Sequence, residues 1–239
     1  MSKMIFIVLE KVIKLLKGKP YHLDRQIPVR RIIQISFLRL AAVARSVLHG
    51  FGPFDRIFIG KHVSFSSRSL LTVGSGTSIG SFSYFDALSR KGIRLGRNVS
   101  IGEYCRLEAS GTITDIGLGI EIGDNTGIGA YSFVGGAGGV RIGSDVIMGQ
   151  WVSFHPENHN YEDLDTPIRL QGVNRKGITI EDDCWIGAKA TFLDGAHVGR
   201  GCVIAAGAVV RGQIPPYSIA GGVPARVLRS RKISQSAER

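Results

Sequence analysis

The feature that most constrains this chain is an interval of six. Ile180, Ile186, Phe192, Val198, Ile204 and Val210 are apolar residues spaced without a break at every sixth position. A helix would repeat at about 3.6 residues and a half-buried strand at 2, so the pattern fits neither. It fits a parallel β-helix, in which short strands stack turn upon turn and each sends a large residue inward. A second register two residues earlier, Ile178, Cys184, Ala190, Ala196, Cys202 and Ala208, is mostly small. Residues two apart on a strand share a face, so each short strand is expected to offer the interior one larger and one smaller side chain. Gly187, Gly199 and Gly207 fall at the turns, where glycine is expected to supply the positive φ of tight corners.

The same beat runs upstream with interruptions. Leu95, Ile101, Leu107 and Ile113 form one run, Ile122, Ile128 and Val134 a second, and Ile142, Met148 and Phe154 a third. Ile59, Phe65 and Leu71 keep the interval before Val73, Ile79 and Phe85 resume it two residues out of phase. Such slips are expected where a corner gains residues, and residues 110–119 and the GGAGG run at 135–139 are the candidate places. A glycine-rich sandwich or barrel is the alternative, but its strands would alternate with period 2 and turn every ~8–12 residues. The reading is therefore all-β: β-helix coils over residues 51–220, a basic helical segment over 1–50 and a basic tail over 221–239.

Two of the three cysteines fall in the small inward register, which reads as packed thiols in a reducing compartment and not as a disulfide frame or a zinc site. No apolar run approaches the ~20 residues that cross a bilayer, and no cleavable leader follows the first apolar stretch. The expected location is the cytoplasm. The first fifty residues hold two basic apolar stretches, one with Lys11, Lys14, Lys17 and Lys19 and one with Arg30, Arg31, Arg39 and Arg45, separated by Pro20 and Pro28. Both read as helices. Peripheral contact with an anionic membrane face and packing on the tube end or a neighbouring subunit are both open to them. The net charge of +11 is scattered, without interleaved aromatics or a recognisable module, so nucleic acid is not the expected partner. Arg226, Arg229, Arg231 and Lys232, clustered after the last coil, suit a phosphate-bearing ligand, and a solvated tail is the other reading of the last two.

One long break in the beat separates Phe154 from Ile178. It reads HPENHNYEDLDTPIRLQGVNRKG over residues 155–177 and holds His155 and His159. A long excursion from a compact repeat is more often functional than accidental. Histidine suits proton removal near neutral pH, and Glu157, Glu162, Asp163 and Asp165 are near enough in sequence to orient a ring. Taken singly, either histidine also fits an ordinary loop position.

The segment ITIEDDCWIGAKATFLDGAHVGRGCVIAAGAVVRGQIPPYSIAGGVPARVLR, Ile178 to Arg229, resembles the hexapeptide-repeat acyltransferases. It is most similar to the maltose, galactoside and nodulation acetyltransferases and the polysaccharide O-acetyltransferases. The WIG step, Pro215 with Pro216, and GGVPARV carry the likeness. The resemblance implies a left-handed β-helix, a handedness that general chain-connection rules would not suggest. It further implies a homotrimer with active sites between subunits, acetyl-CoA as co-substrate, and no required metal. By that likeness His159 is the general base, while His155, Glu157 and Trp185 are secondary candidates. An exterior packing role for Trp185 fits equally. Backbone N–H groups near Gly187 and Ala188 are the oxyanion donors, Ala188 and Ala206 line the pantetheine arm, and Arg211, Arg226 and Arg229 reach the cofactor phosphates. His197 is expected to be structural or exposed. The implied reaction is direct acetyl transfer to a sugar hydroxyl in exopolysaccharide, capsule or O-antigen synthesis. Serine or antibiotic O-acetyltransferase is the nearest alternative. A γ-type carbonic anhydrase would need a third histidine ligand for zinc, which no upstream coil supplies, and an ice-binding β-helix would need threonine arrays, which are missing.

Overall fold

A computed structural model describes residues 6–7, 9–11, 22–110 and 112–231. Lys14, Lys17, Lys19 and Lys232 lie outside the described residues. From residue 58 the chain winds as a left-handed parallel β-helix with three faces, of nine, seven and seven strands. Face A starts at Phe58–Ile59 and face B at Ser64–Ser66, and face C at Leu71–Val73. Ile59, Ile79, Ile101, Ile128, Met148, Ile186, Ile204 and Ala220 stack inside face A. Phe65, Phe85, Leu107, Val134, Phe154, Phe192 and Val210 stack inside face B. Val73, Leu95, Ile122, Ile142, Ile180, Val198 and Ile214 stack inside face C.

All twelve residues of the two C-terminal registers are buried, as the six-residue interval requires. The three cysteines are free and buried, and desolvation pushes the Cys184 thiol up to about 11, so it behaves as packing and not as a nucleophile. Ile113 breaks the expectation. It is 84% exposed, and Ile122 takes the next inward place after Leu107. The reason lies in where coil length varies. From A to B the step between inward residues is six in every coil, as from Ile59 to Phe65, and from C to A it is likewise six, as from Val73 to Ile79. From B to C it runs from four, Val210 to Ile214, to 26, Phe154 to Ile180. Every insertion, including 110–119 and GGAGG, leaves the tube at this one edge.

The two constant corners are crowded. Stacked coils lie ~4.8 Å apart, so the glycine that follows each face A strand from Gly60 to Gly187 has the next coil against its Cα hydrogen. A methyl group at Gly102 would strike the backbone of Ala130, and one at Gly187 the backbone of Ala206. This corrects the expected role of the turn glycines. Gly187 and Gly199 do not have positive φ and are required by close approach, Gly199 to Pro216; only Gly207 of the three has φ in the left-handed region, at +71°.

The A-to-B corner also carries a column of rings that the six-residue scan missed. His62, Phe82, Tyr104, Tyr131 and Trp151 all adopt positive φ and stack with centroids 4.9, 4.9, 4.9 and 4.5 Å apart. Left-handed backbone costs a non-glycine residue ~1–2 kcal/mol, and a stacked aromatic pair contributes ~0.5–1.5 kcal/mol, so stacking offsets much of the strain. The C-to-A corner uses amides instead: Asn98 donates to Asn125, which donates to Asp145.

The helix Val29–Leu48 covers the open end of the tube. Its Arg45 Nε donates to the Ile59 carbonyl and its Arg39 lies over the Phe58 ring, so two of its four arginines serve the first coil. Its other side presents Ile33, Phe37, Leu40, Val47 and Leu48 to the outside. No described helix is long and apolar enough to cross a membrane. At the other end Ser218–Gly222 turns back to pair antiparallel with Ala225–Ser230, and Arg231 donates to the Gly201 carbonyl. Arg231 is thus tied to the last coils, although its side chain remains exposed.

Candidate functional site

The long excursion is an ordered hairpin on the variable edge. Asn158–His159 pairs antiparallel with Val173–Asn174, with His159 opposite Val173. Its base is fastened by Asp194, whose carboxylate accepts from the backbone N–H groups of Lys176 and Gly177 and from the Asn158 amide. Arg175 bridges Glu157 and Asp115, at 2.6 and 2.8 Å, tying the hairpin to the insertion two coils below. Inside the hairpin the Gln171 amide donates to the carbonyls of Asp163 and Thr166. These bonds hold a loop of this length in one shape.

His159 stands exposed on the hairpin, and its ring has no hydrogen-bond partner among the described residues. His155 is different. It ends the last face B strand before the loop, its ring lies against Phe133, and desolvation lowers its pKa, so it stays neutral more readily than a free histidine. None of the four carboxylates near in sequence orients either ring. Glu157 is committed to Arg175, Glu162 accepts from the Tyr161 N–H, Asp163 accepts from the N–H groups of Asp165 and Thr166, and Asp165 contacts neither histidine. His197 pairs with Glu181 at 3.0 Å on face C, a structural role.

The cofactor candidates sit elsewhere. Trp185 is 57% exposed on face A, and its register line runs through Val203 and Ile219 to Arg229. Trp185 and Arg229 therefore share one outward stripe, three strands apart, or ~14 Å at the strand spacing. Arg226 is on the same terminal strand. Ala188 and Ala206 are successive rungs of the A-to-B corner, above the point where the aromatic column ends at Trp151 and gives way to Lys189 and Gly207. A side chain at Gly207 would meet open space. Of the two amides expected to face an oxyanion, Gly187 N–H is already given to the Ile204 carbonyl at 2.7 Å, whereas Ala188 N–H has no acceptor among the described residues. The Gly187 N–H is thus committed within the tube, and the Ala188 N–H is not. Arg211 is not with the other arginines; it lies on the B-to-C edge, between Val209–Val210 and Gln213–Ile214.

In a three-faced prism the B-to-C edge is opposite face A. The fold thus brings Trp185, Arg226 and Arg229 together on one face with Ala188 and Ala206 at its margin, and sets His155, Glu157, His159 and Arg211 on the opposite edge. Among the described residues no three of His, Cys, Asp and Glu are grouped as metal ligands.

Residues 177–212 match the family described as bacterial transferase hexapeptide (six repeats). A protein of Mycobacterium tuberculosis named as a probable acetyltransferase is 35% identical over 139 residues, 58% of this chain and 46% of its own length. A protein of Escherichia coli named for lipopolysaccharide biosynthesis O-acetyl transfer is 29% identical over 144 residues, 57% of this chain and 71% of its own. A chloramphenicol acetyltransferase of Escherichia coli is 34% identical over 106 residues, 44% of this chain and 50% of its own length. The chain spans about half the length of most of the curated relatives it matches. The crystal structure of an N-acyltransferase from Bacillus cereus, in complex with dTDP and 3-hydroxybutyryl-CoA, superposes with a TM-score of 0.52 at 19% identity, covering 74% of this chain and 81% of that one, a likeness of fold.

Proposed function

We propose that this hexapeptide-repeat chain, similar in sequence to acetyltransferases, is an acetyl-CoA-dependent O-acetyltransferase of a sugar hydroxyl in bacterial surface-glycan synthesis. The observation that carries the reading is the ordered hairpin presenting an uncommitted His159 on the variable edge of a transferase-type β-helix. The polysaccharide context comes from the likeness to the Escherichia coli protein.

The separation of the candidate groups favours a site shared between copies in a homotrimer, with the loop edge of one chain facing the Trp185 and Arg229 stripe of the next. In that arrangement His159 takes the proton of the acceptor hydroxyl, whose oxygen attacks the acyl carbon. The Ala188 N–H receives the developing oxyanion. His159 then returns the proton to the departing thiolate, so hydroxyl and thioester become ester and thiol with no net proton change. Acetyl-CoA supplies the acyl group. Ala188 and Ala206 leave room for its pantetheine arm, and Arg226 and Arg229, with Arg211 from the facing edge, suit its phosphates. Positioning and general base catalysis account for the rate without an acyl-enzyme.

The helix Val29–Leu48 has no acidic residue and an apolar outer side, which suits peripheral contact with an anionic membrane and a lipid-linked acceptor. The test of the function is thiol release from acetyl-CoA with a panel of glycan precursors. His159→Ala is expected to lower acceptor-dependent release by about 10²–10⁴-fold, with His155→Ala within about tenfold of wild type. Equal loss in both variants, or none in either, would remove His159 as the base.

A further inference from the structure

A groove of about 250 Å³ opens on face C just below the variable edge. Lys91, Arg94, Arg141 and Lys176 line it with Glu121 as the single carboxylate, leaving three net positive charges in a small volume. The cations differ from others on this edge. Arg90 and Arg175 are both neutralised by Asp115, and Arg175 also by Glu157. The side chains of Lys91, Arg94, Arg141 and Lys176 have no ion pair among the described residues. Arg94, Glu121 and Arg141 occupy consecutive rungs of one outward line, their backbones ~4.8 Å apart along the groove. Even so, neither arginine closes on Glu121 as a salt bridge.

Gly119, Gly138, Gly139 and Gly177 also line the groove, beside Leu118. Gly139 and Gly177 have φ of +91° and +82°, and a methyl group on either would strike Leu118 or the Gly138 carbonyl. The groove also adjoins the proposed catalytic hairpin, since Lys176 and Gly177 are fixed by the same Asp194 that fastens the hairpin base.

We infer that this groove is an anion subsite for a phosphoryl or diphosphate group carried by the acceptor, held by the forks of Arg94 and Arg141 with Lys91 and Lys176 at its sides. Planar guanidinium groups suit phosphate oxygens, and Glu121 sets an upper limit on affinity by opposing the charge of the ligand. The inference rests on the acyltransferase reading for the identity of the ligand's carrier, but its test does not require turnover. Inorganic pyrophosphate is titrated into the full chain by calorimetry at low salt, then acetyl-CoA and acceptor kinetics are measured on the same variants. Arg94→Ala and Arg141→Ala are each expected to weaken pyrophosphate binding about tenfold, and Glu121→Gln to tighten it severalfold. The KM for acetyl-CoA should not move, while the KM for a phosphorylated acceptor should rise. Pyrophosphate binding unaffected by all three substitutions would overturn the subsite. A parallel rise in the KM for acetyl-CoA would overturn the assignment to the acceptor and give the groove to the phosphates of CoA. Correct binding shifts with no acyl transfer to any acceptor would sink the proposed function and leave the anion site standing.

Discussion

Two corners of this tube never change length and the third changes in almost every coil, although all three join strands of the same kind. At the constant corners each residue lies directly over its counterpart one coil away. Ring stacks on ring from His62 to Trp151, and a ladder of side-chain hydrogen bonds runs from Asn98 through Asn125 to the Asp145 carboxylate. An added residue there would misalign the contacts above and below it. At the B-to-C edge the chain can bulge outward without disturbing its neighbours, at a closure cost that grows only logarithmically with length. Repetition holds the first two corners and releases the third, which is where the long hairpin, the insertion at 110–119 and the basic groove are found.

The most severe way to break this comparison is to put the same insertion in both places. A Gly-Ser pair added between Gly129 and Ala130, at the A-to-B corner, is expected to destabilise the fold by more than about 4 kcal/mol in urea unfolding, by lifting coils apart and displacing the inward row. The same pair added between Thr112 and Ile113 should cost less than about 0.6 kcal/mol. Comparable losses at the two sites would mean that the corners are not mechanically different.

A narrower break removes one ring. Tyr131 stacks on Tyr104 and Trp151, so Tyr131→Ala loses two ring contacts and leaves a small residue in left-handed backbone, a cost of about 1–3 kcal/mol. Tyr131→Gly relieves the backbone and should recover part of that. If glycine proves no better than alanine, strain at the corner is not what the stack offsets.

The inward registers from 178 to 210 were legible because consecutive coils there keep strict or nearly strict hexads. Upstream, Ile113, Ile120 and Ile122 are equally apolar, and nothing in the sequence says which of them follows Leu107 once a corner can lengthen. The aromatic column escaped for a related reason. Its members are separated by unequal intervals because each coil includes a different loop, yet each stands three residues before an inward residue of face B, as Tyr131 does before Val134. Scanning from the inward residues would have found it. His159 was reached through the likeness to a family, and its remoteness from Trp185 and Arg229 could come only from knowing which face each strand joins.

The smallest effect tests the loop edge by pH. Burial lowers the His155 pKa in the folded chain, so between that value and the unfolded value of about 6.5 the unfolded state binds more protons. Its contribution to stability is complete above pH ~6.5 and is lost as pH falls through the folded pKa. His155→Gln should flatten this part of the stability profile. A profile that His155→Gln leaves unchanged would contradict the desolvation assigned to its ring.

The central claim is that loop edge and face A meet only between copies, and subunit mixing tests it most directly. His159→Ala and Ala206→Trp, each expected to be nearly inactive alone, are unfolded together at equal amounts, refolded, and assayed for thiol release, with hybrid oligomers verified by mass. If each site takes its base from one chain and its cofactor shelf from the next, random hybrids recover roughly a quarter of wild-type activity. Hybrids that form and show no more than the average of the two parents would place the whole site within one chain and contradict the account.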